Sequence, residues 1–293
     1  MPRPRVYEAA GVPAEIATAL AASFDLIGAP SGADGVVVTP AVTVDGAFLD
    51  AAGPQLRIVA NYAVGIDNVD LDAARQRGVV VSNTPGVLTN ATAEHAIALV
   101  LALLRRIGEG DRSLRRRDHW EWGPDYMVGE SLEGKDVLVV GPGRIGRRVA
   151  ELAQAHGARA TFAGRGDDLL DLLQAADVVT LHCPLTAETR HLVGAAALDA
   201  MKPTAVLVNT ARGQVVDEAA LVRALQARSI AGAGLDVFER EPVVSEELLG
   251  MENVVLTPHI ASATRETRFA MGMLVVSALC AVLLEGRTPP NAV

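Results

Sequence analysis

The stretch DVLVVGPGRIGRRVAELAQ, residues 136–154, joins a short apolar run to a glycine-rich turn and then to a helical pattern. An apolar run this short, closed by a glycine, reads as a buried strand. Gly141, Gly143 and Gly146 fill the pattern G-x-G-x-x-G at the strand-to-helix junction. In that setting the first glycine makes the tight turn, the second lets backbone N–H groups approach a pyrophosphate, and the third lets helix and strand pack closely. The anion then rests on the helix N-terminus. A tight turn without a ligand is the plain alternative.

The next strand pattern ends in ATFAGRGDD, residues 160–168. A site for a dinucleotide with a free ribose 2′-hydroxyl usually carries Asp or Glu at that end, about 20 residues past the first glycine. Here Gly164 and Arg165 stand there, and the first acid is Asp167. Without the acid a 2′-phosphate meets less repulsion, and Arg165 can bind it. NADPH is therefore expected over NADH, with NADH still usable; Arg165 as an ordinary surface residue is the alternative.

Outward from this unit, short apolar runs alternate with helical stretches along the whole chain, the pattern of an α/β fold. Strands are predicted at 35–38, 57–60 and 79–82, then at 136–140, 159–163, 178–182, 205–209, 232–236 and 254–257. Residues 91–107 predict a long helix, apolar enough to lie buried between two domains. Residues 108–134 hold Gly, Pro and both Trp and are expected to be irregular, an arm exchanged between the subunits of a homodimer. The apolar run 265–285 predicts a last helix that returns to the first domain. The expected division is 1–90 with 268–293 as a discontinuous substrate domain, and 91–267 as the dinucleotide domain.

Of the 293 residues, 50% are hydrophobic but only 3% aromatic, so Ala, Val and Leu carry the packing. The formal net charge of −9 speaks against nucleic acid or an anionic membrane as partner. The Arg-rich stretch 105–117 reads as a solvated helix face or subunit contact. Cys183 and Cys280 are the only cysteines, and neither sits in a metal or disulfide pattern. The N-terminal residues lack the apolar core of a signal peptide. At 16 residues, the apolar stretch 269–284 is short for a membrane span. A cytoplasmic protein without a metal is expected.

Three distant residues suggest chemistry together. Arg212, in VNTARG (208–213), is a permanent cation that can fork onto a carboxylate. His259, in TPHIASAT (257–264), can exchange a proton near neutral pH. Glu241, in LDVFEREP (235–242), can orient and charge that histidine. Singly, each has an ordinary reading: an ion pair, a strand-end histidine, a surface acid. Downstream of a dinucleotide loop they outline hydride and proton transfer to a 2-oxo acid.

The segments NYAVGIDNVD (61–70), NTPGVLTNATAEHAIAL (83–99), GPGRIG (141–146), HCPLTAETRHL (182–192), VNTARGQVVDE (208–218), AGLDVFEREP (233–242) and TPHIASAT (257–264) follow one another in order. Through them the chain resembles the D-isomer-specific 2-hydroxyacid dehydrogenases over nearly its whole length, and within them the glyoxylate/hydroxypyruvate reductases and their hydroxyphenylpyruvate-reducing relatives. The resemblance implies two Rossmann-like domains, one flavodoxin-like and one NAD(P)-binding, with parallel sheets and an active-site cleft between them. It implies Arg212, Glu241 and His259 as catalytic residues and the backbone of Val64 and Gly65 on the substrate carboxylate. For the cofactor it implies Thr92, the glycine loop with Arg144 and Ile145, the Gly164–Arg165 end, Cys183, Pro184, Thr210, and Asp236 at the carboxamide.

Some positions depart from the family. Pro142 sits in the glycine loop and offers no N–H. The segment after Arg165 is short. Trp120, Trp122, Tyr126 and Met127 could admit an aryl substrate or simply pack the arm. A nucleotide-sensing binding protein without turnover is the alternative of another class.

Overall fold

The computed structural model describes residues 2–293. They form two compact units: the chain up to Leu88 together with Ala263–Val293, and Thr89–Ser262. Each holds one all-parallel sheet, so the expected fold class is observed.

The first unit runs β1 (Arg5–Glu8), α1 (Ala14–Ser23), β2 (Asp25–Ile27), β3 (Gly35–Val38), α2 (Gly46–Ala52), β4 (Ile58–Asn61), α3 (Leu71–Gln76) and β5 (Val80–Ser82). Its strand order, β2-β1-β3-β4-β5, is the flavodoxin-like one. The central strands β3 (GVVV) and β4 (IVAN) are buried at every position, as parallel strands covered on both faces must be. Aspartates start two of the helices: Asp45 accepts from the Phe48 N–H at α2, and Asp70 from the Ala73 N–H at α3.

The second unit opens with α4 (Thr89–Leu104) and α5 (Ile107–Arg116). It continues through β6 (Asp136–Val140), α6 (Arg144–Ala155), β7 (Arg159–Ala163), α7 (Leu169–Ala175), β8 (Val178–Leu181), α8 (Ala195–Ala200), β9 (Val206–Asn209), α9 (Glu218–Gln226), β10 (Gly232–Leu235), α10 (Glu246–Leu249) and β11 (Val254–Leu256). The strand order is β11-β10-β9-β8-β6-β7, so the chain leaves β6 toward β7 and then crosses back to β8. That reversal makes the carboxyl ends of β6 and β8 a topological switch point, where open α/β sheets bind ligands. Helix α4 packs on α6, β9 and β10 and buries Ala93, Ala96, Leu99 and Val100.

Residues 108–134 are not irregular throughout, as the sequence suggests, because α5 occupies their first third. Its sequence, IGEGDRSLRR, has two glycines and only Ile107 and Leu114 as apolar side chains, so no apolar run marks it. Ion pairs hold it instead: Arg106 with Glu109, Arg115 with Asp111, and Arg112 with Glu252 beside β11. The Arg-rich stretch is thus largely a salt-bridged helix face.

The last helix, α11 (Arg265–Leu283), belongs to the first unit and packs on α1, β3 and β4. Thr264 caps its start through the Thr267 N–H. Arg57 caps its end, donating to the carbonyls of Val282 (3.3 Å) and Leu283 (3.0 Å). By length and hydropathy it could cross a membrane, but 56% of that window is buried within the protein.

Candidate active site

The three residues singled out in the sequence leave the carboxyl ends of three neighbouring strands. Arg212 follows β9, Glu241 follows β10 and His259 follows β11, so the parallel sheet delivers all three to one edge. Glu241 Oε2 lies 2.7 Å from His259 Nδ1, and Glu241 Oε1 accepts from the Phe238 N–H at 3.0 Å. Both carboxylate oxygens are therefore directed. Burial pushes the Glu241 carboxyl up, but His259, the Phe238 N–H and the charge of Arg212 outweigh it and hold the group below the usual carboxylate value. Arg212 is thus close enough to act on Glu241.

Backbone approach sets this closeness. A Cβ on Gly213 would lie 1.9 Å from the Phe238 carbonyl, so only glycine lets the turn after Arg212 lie against the segment leading to Glu241. Asn209 steadies the same turn: its Nδ2 donates to the Arg212 carbonyl (2.8 Å) and its Oδ1 accepts from the Ala211 N–H (3.0 Å). Arg212 Nη1 donates to the Ala211 carbonyl at 2.8 Å.

His259 has φ of 54°, a left-handed conformation costly for a histidine. Its N–H donates to the carbonyls of Asp236 (2.8 Å) and Thr257 (3.0 Å). Asp236 has no exposed surface. Its Oδ1 accepts from the Thr257 hydroxyl (2.6 Å) and the Ile260 N–H (2.8 Å), and its Oδ2 from the Ala261 N–H (2.8 Å). His95, on α4, brings Nε2 to 3.0 Å from Thr257 Oγ1 and 3.4 Å from Asp236 Oδ1. Thr257 gives its one proton to Asp236, so its oxygen must accept from His95, which fixes a proton on His95 Nε2. Burial raises the Asp236 carboxyl, yet these donors, led by His95, bring it below the ordinary value. The structure thus shows Asp236 holding the 257–261 turn. His95 and Thr257 lie within the motifs at 83–99 and 257–264, but nothing in either motif shows that the two side chains meet at Asp236.

The glycine loop spans the switch point. Gly141, at φ 101°, passes so close to the loop after β8 that a Cβ would lie 2.7 Å from the Cys183 nitrogen. Gly146 closes on the Gly141 carbonyl, where a Cβ would come within 2.2 Å. Gly143 is the N-cap of α6, and a Cβ there would meet nothing within 4 Å, so the backbone at the helix mouth lies open. Arg144 and Ile145 are the first residues of α6. Just past the end of β9, the Thr210 hydroxyl is buried without a hydrogen-bond partner. An open helix N-terminus and an orphaned hydroxyl are what a bound dinucleotide would complete, so these residues fit a nicotinamide cofactor.

Thr92 lies buried in the first turn of α4. Burial pushes the Cys183 thiol up, leaving it a small apolar wall beside Pro184. His182 bonds Thr180 at 2.8 Å, and burial pushes its pKa down to about 3, which keeps the ring neutral near neutral pH. Val64 and Gly65 lie in the first unit, after β4. Asn83 Nδ2 donates to the Val64 carbonyl (2.8 Å) and Asn61 Nδ2 to the Gly65 carbonyl (2.7 Å), which fixes that loop through its oxygens. The Tyr62 hydroxyl donates to the Arg268 carbonyl.

A sequence profile described as "D-isomer specific 2-hydroxyacid dehydrogenase, NAD binding domain" matches residues 97–261. The chain is 48% identical over 258 residues to a glyoxylate reductase of Aeropyrum pernix, covering 82% of this chain and 77% of that one. It is 46% identical over 277 residues to a glyoxylate reductase of Thermococcus litoralis, covering 89% and 83%. Among solved structures it is similar to a Thermus thermophilus protein, with a TM-score of 0.92, 41% identity and 99% of each chain covered. It is also similar to an NADPH-dependent glyoxylate/hydroxypyruvate reductase of Sinorhizobium meliloti in complex with NADP and malonate, with a TM-score of 0.87, 37% identity, and 99% and 97% of the chains covered.

Proposed function

The chain belongs to the D-isomer specific 2-hydroxyacid dehydrogenases, and on that premise we propose that it reduces small 2-oxo acids of the glyoxylate and hydroxypyruvate type to D-2-hydroxy acids, with NADPH preferred. It is an NAD(P)-dependent oxidoreductase. The substrate class is supported by the glyoxylate reductases it resembles, and the NADPH preference by Gly164 and Arg165 at the end of β7.

The observation that carries the reading is the 2.7 Å bond between Glu241 and His259 Nδ1. With Nδ1 engaged, Nε2 is the nitrogen left to deliver a proton to the carbonyl oxygen. Ionised Glu241 stabilises the charged imidazole and fixes its ring plane. Arg212 would hold the substrate carboxylate by a forked contact, which also orients the carbonyl. The N–H groups of Val64 and Gly65 are proposed as further donors to that carboxylate. A nicotinamide cofactor held at this site would supply the hydride. Thr92, Thr210 and the glycine loop with Arg144 and Ile145 would hold the dinucleotide, with Cys183 and Pro184 walling its adenosine side. Asp236 would act on the carboxamide through its place beneath the 257–261 turn.

Glyoxylate, hydroxypyruvate, pyruvate and 4-hydroxyphenylpyruvate, each assayed with NADPH and NADH, test this directly. The highest kcat/KM is expected for glyoxylate or hydroxypyruvate with NADPH. Preference for the aryl acid would move the substrate class, and tight cofactor binding without turnover of any 2-oxo acid would make the protein a nucleotide sensor. A homodimer is proposed as well. Trp120, Trp122, Val128 and Leu114 are exposed along 108–134, and such apolar surface is what a subunit contact covers. Sedimentation of the intact protein is expected to give twice the chain mass.

A further inference from the structure

The end of β7 holds one feature that Gly164 and Arg165 do not explain. The Asp167 side chain folds back onto the strand end, and its Oδ2 accepts from the Gly164 N–H at 2.8 Å. The same oxygen lies 3.7 Å from where a Cβ on Gly164 would be, and that point is 3.6 Å from Pro142 Cγ in the glycine loop. The carboxylate oxygen therefore lies in van der Waals contact with the point from which an acid at position 164 would extend. It arrives there from three residues downstream, along a short loop.

We propose that Asp167 is a specificity-determining residue of the cofactor site: its carboxylate stands in for the missing strand-end acid, accepts from the ribose 2′-hydroxyl, and opposes Arg165 in the choice between NADH and NADPH. The proposal rests on the reading above that the glycine loop binds a dinucleotide whose adenosine ribose faces the end of β7.

Chemistry at that end favours such a balance. Oδ2 is directed by a backbone donor, which leaves Oδ1 to accept from a hydroxyl. A 2′-phosphate carries no donor to offer when ionised and adds charge of the same sign, so the same carboxylate repels it. Arg165 supplies the opposing attraction, but its charge also bears on Glu188 in the loop after β8. That carboxyl is held below its usual value by Thr186 and, among smaller causes, by Arg165. The Arg165 charge thus already bears on one carboxylate before any phosphate arrives. Asp167 and Arg165 are both exposed, so their influence is screened by salt and graded rather than absolute.

The test measures equilibrium binding of NADP⁺, NAD⁺ and 2′-AMP to the whole protein by calorimetry, alongside kcat/KM with both reduced cofactors. Asp167→Asn keeps an oxygen for the Gly164 N–H and removes only the charge, so the loop stands. It is expected to tighten NADP⁺ and 2′-AMP roughly five- to tenfold and to weaken NAD⁺ a few-fold, the scale of one partly screened charge. Arg165→Ala is expected to act in the opposite sense. If Arg165→Ala weakens NADP⁺ while Asp167→Asn leaves all three ligands unchanged, the role of Asp167 is refuted and the cofactor reading stands. If neither substitution moves any ligand, the ribose does not face β7 and the underlying reading fails instead. Gains at about 0.05 M salt that shrink at about 0.5 M would identify the effect as electrostatic.

Discussion

Glu241 has both oxygens committed, one to His259 and one to the Phe238 N–H, and this makes its charge the variable that matters. Its folded-state value is depressed. The ionised form, and the support it gives to a charged His259, is therefore present from neutral pH downward until the medium passes that lowered value, and is lost below it. Glu241→Gln keeps an acceptor for either donor but carries no charge. It is expected to lower kcat at neutral pH by roughly 10- to 100-fold, less than the loss of a whole general acid. It should also abolish the acid-side decline in kcat/KM that Glu241 protonation causes. A variant whose pH–rate profile superimposes on the parent's would remove Glu241 from the mechanism. His95 belongs to the same scale. Its Nε2 proton completes the Thr257–Asp236 network under the left-handed His259 turn. His95→Leu should cut kcat about tenfold or more while the dissociation constant for NADP⁺ stays put, the cost of leaving one buried polar group unsatisfied. His95→Gln, which can still donate, should restore much of it; equal kcat for Leu and Gln variants would leave His95 without a positioning role.

Among elements, legibility followed apolar continuity. Strands β3, β4, β6, β8 and β9 are buried at all or nearly all positions and stand out as short runs rich in Val, Ile and Leu. Strand β1 reads RVYE and β2 is three residues long, so neither carries a run that a pattern could find. They exist because parallel pairing, of β1 with β3 and of β2 with β1, supplies what local sequence does not. Helix α5 escaped for a similar reason, since its support comes from Glu252, far along the chain. The three residues proposed as catalytic were visible because each sits in a distinctive motif just past a strand end, whereas the approach that joins them was not. Nothing in VNTARGQ announces that the Phe238 carbonyl will press on Gly213. Gly213→Ala tests that contact. The added carbon must push the turn off the 237–239 segment, costing about 1–3 kcal/mol of stability. Displacing Arg212 by as little as about 1 Å would lower kcat/KM on the order of 100-fold. Unaltered kcat/KM in a folded Gly213→Ala protein would show that the turn has room to yield.

At the scale of the molecule, the chain's route matters more than any one motif. The first unit is begun by residues before Leu88 and finished by residues after Ala263. On one face of its sheet α11 covers β3 and β4 and packs beside α1. Three features secure that late addition. Arg57 caps the last turn of α11, and Gly35 in β3 leaves room for Leu279, where a Cβ would come within 2.8 Å. The third is the closest: Gly272 sits against Ile16 of α1, where a Cβ would lie 2.3 Å from Ile16 Cγ1. The apolar run 265–285 was legible as a helix returning to the first domain, but its contact with α1 was not, because sequence gives no distance between residues 16 and 272. Gly272→Val places two methyl groups in a contact that has no space for one carbon. The expected cost is about 1–3 kcal/mol, the usual range for overpacking a closed core. Thermal unfolding should fall by several degrees, on the order of 5 °C. Hydrogen exchange should locate the damage, with faster exchange in α1, α11 and the β3–β4 pair. Parent-like exchange in those four elements, together with a parent-like melting temperature, would mean that α1 and α11 are not held at this contact.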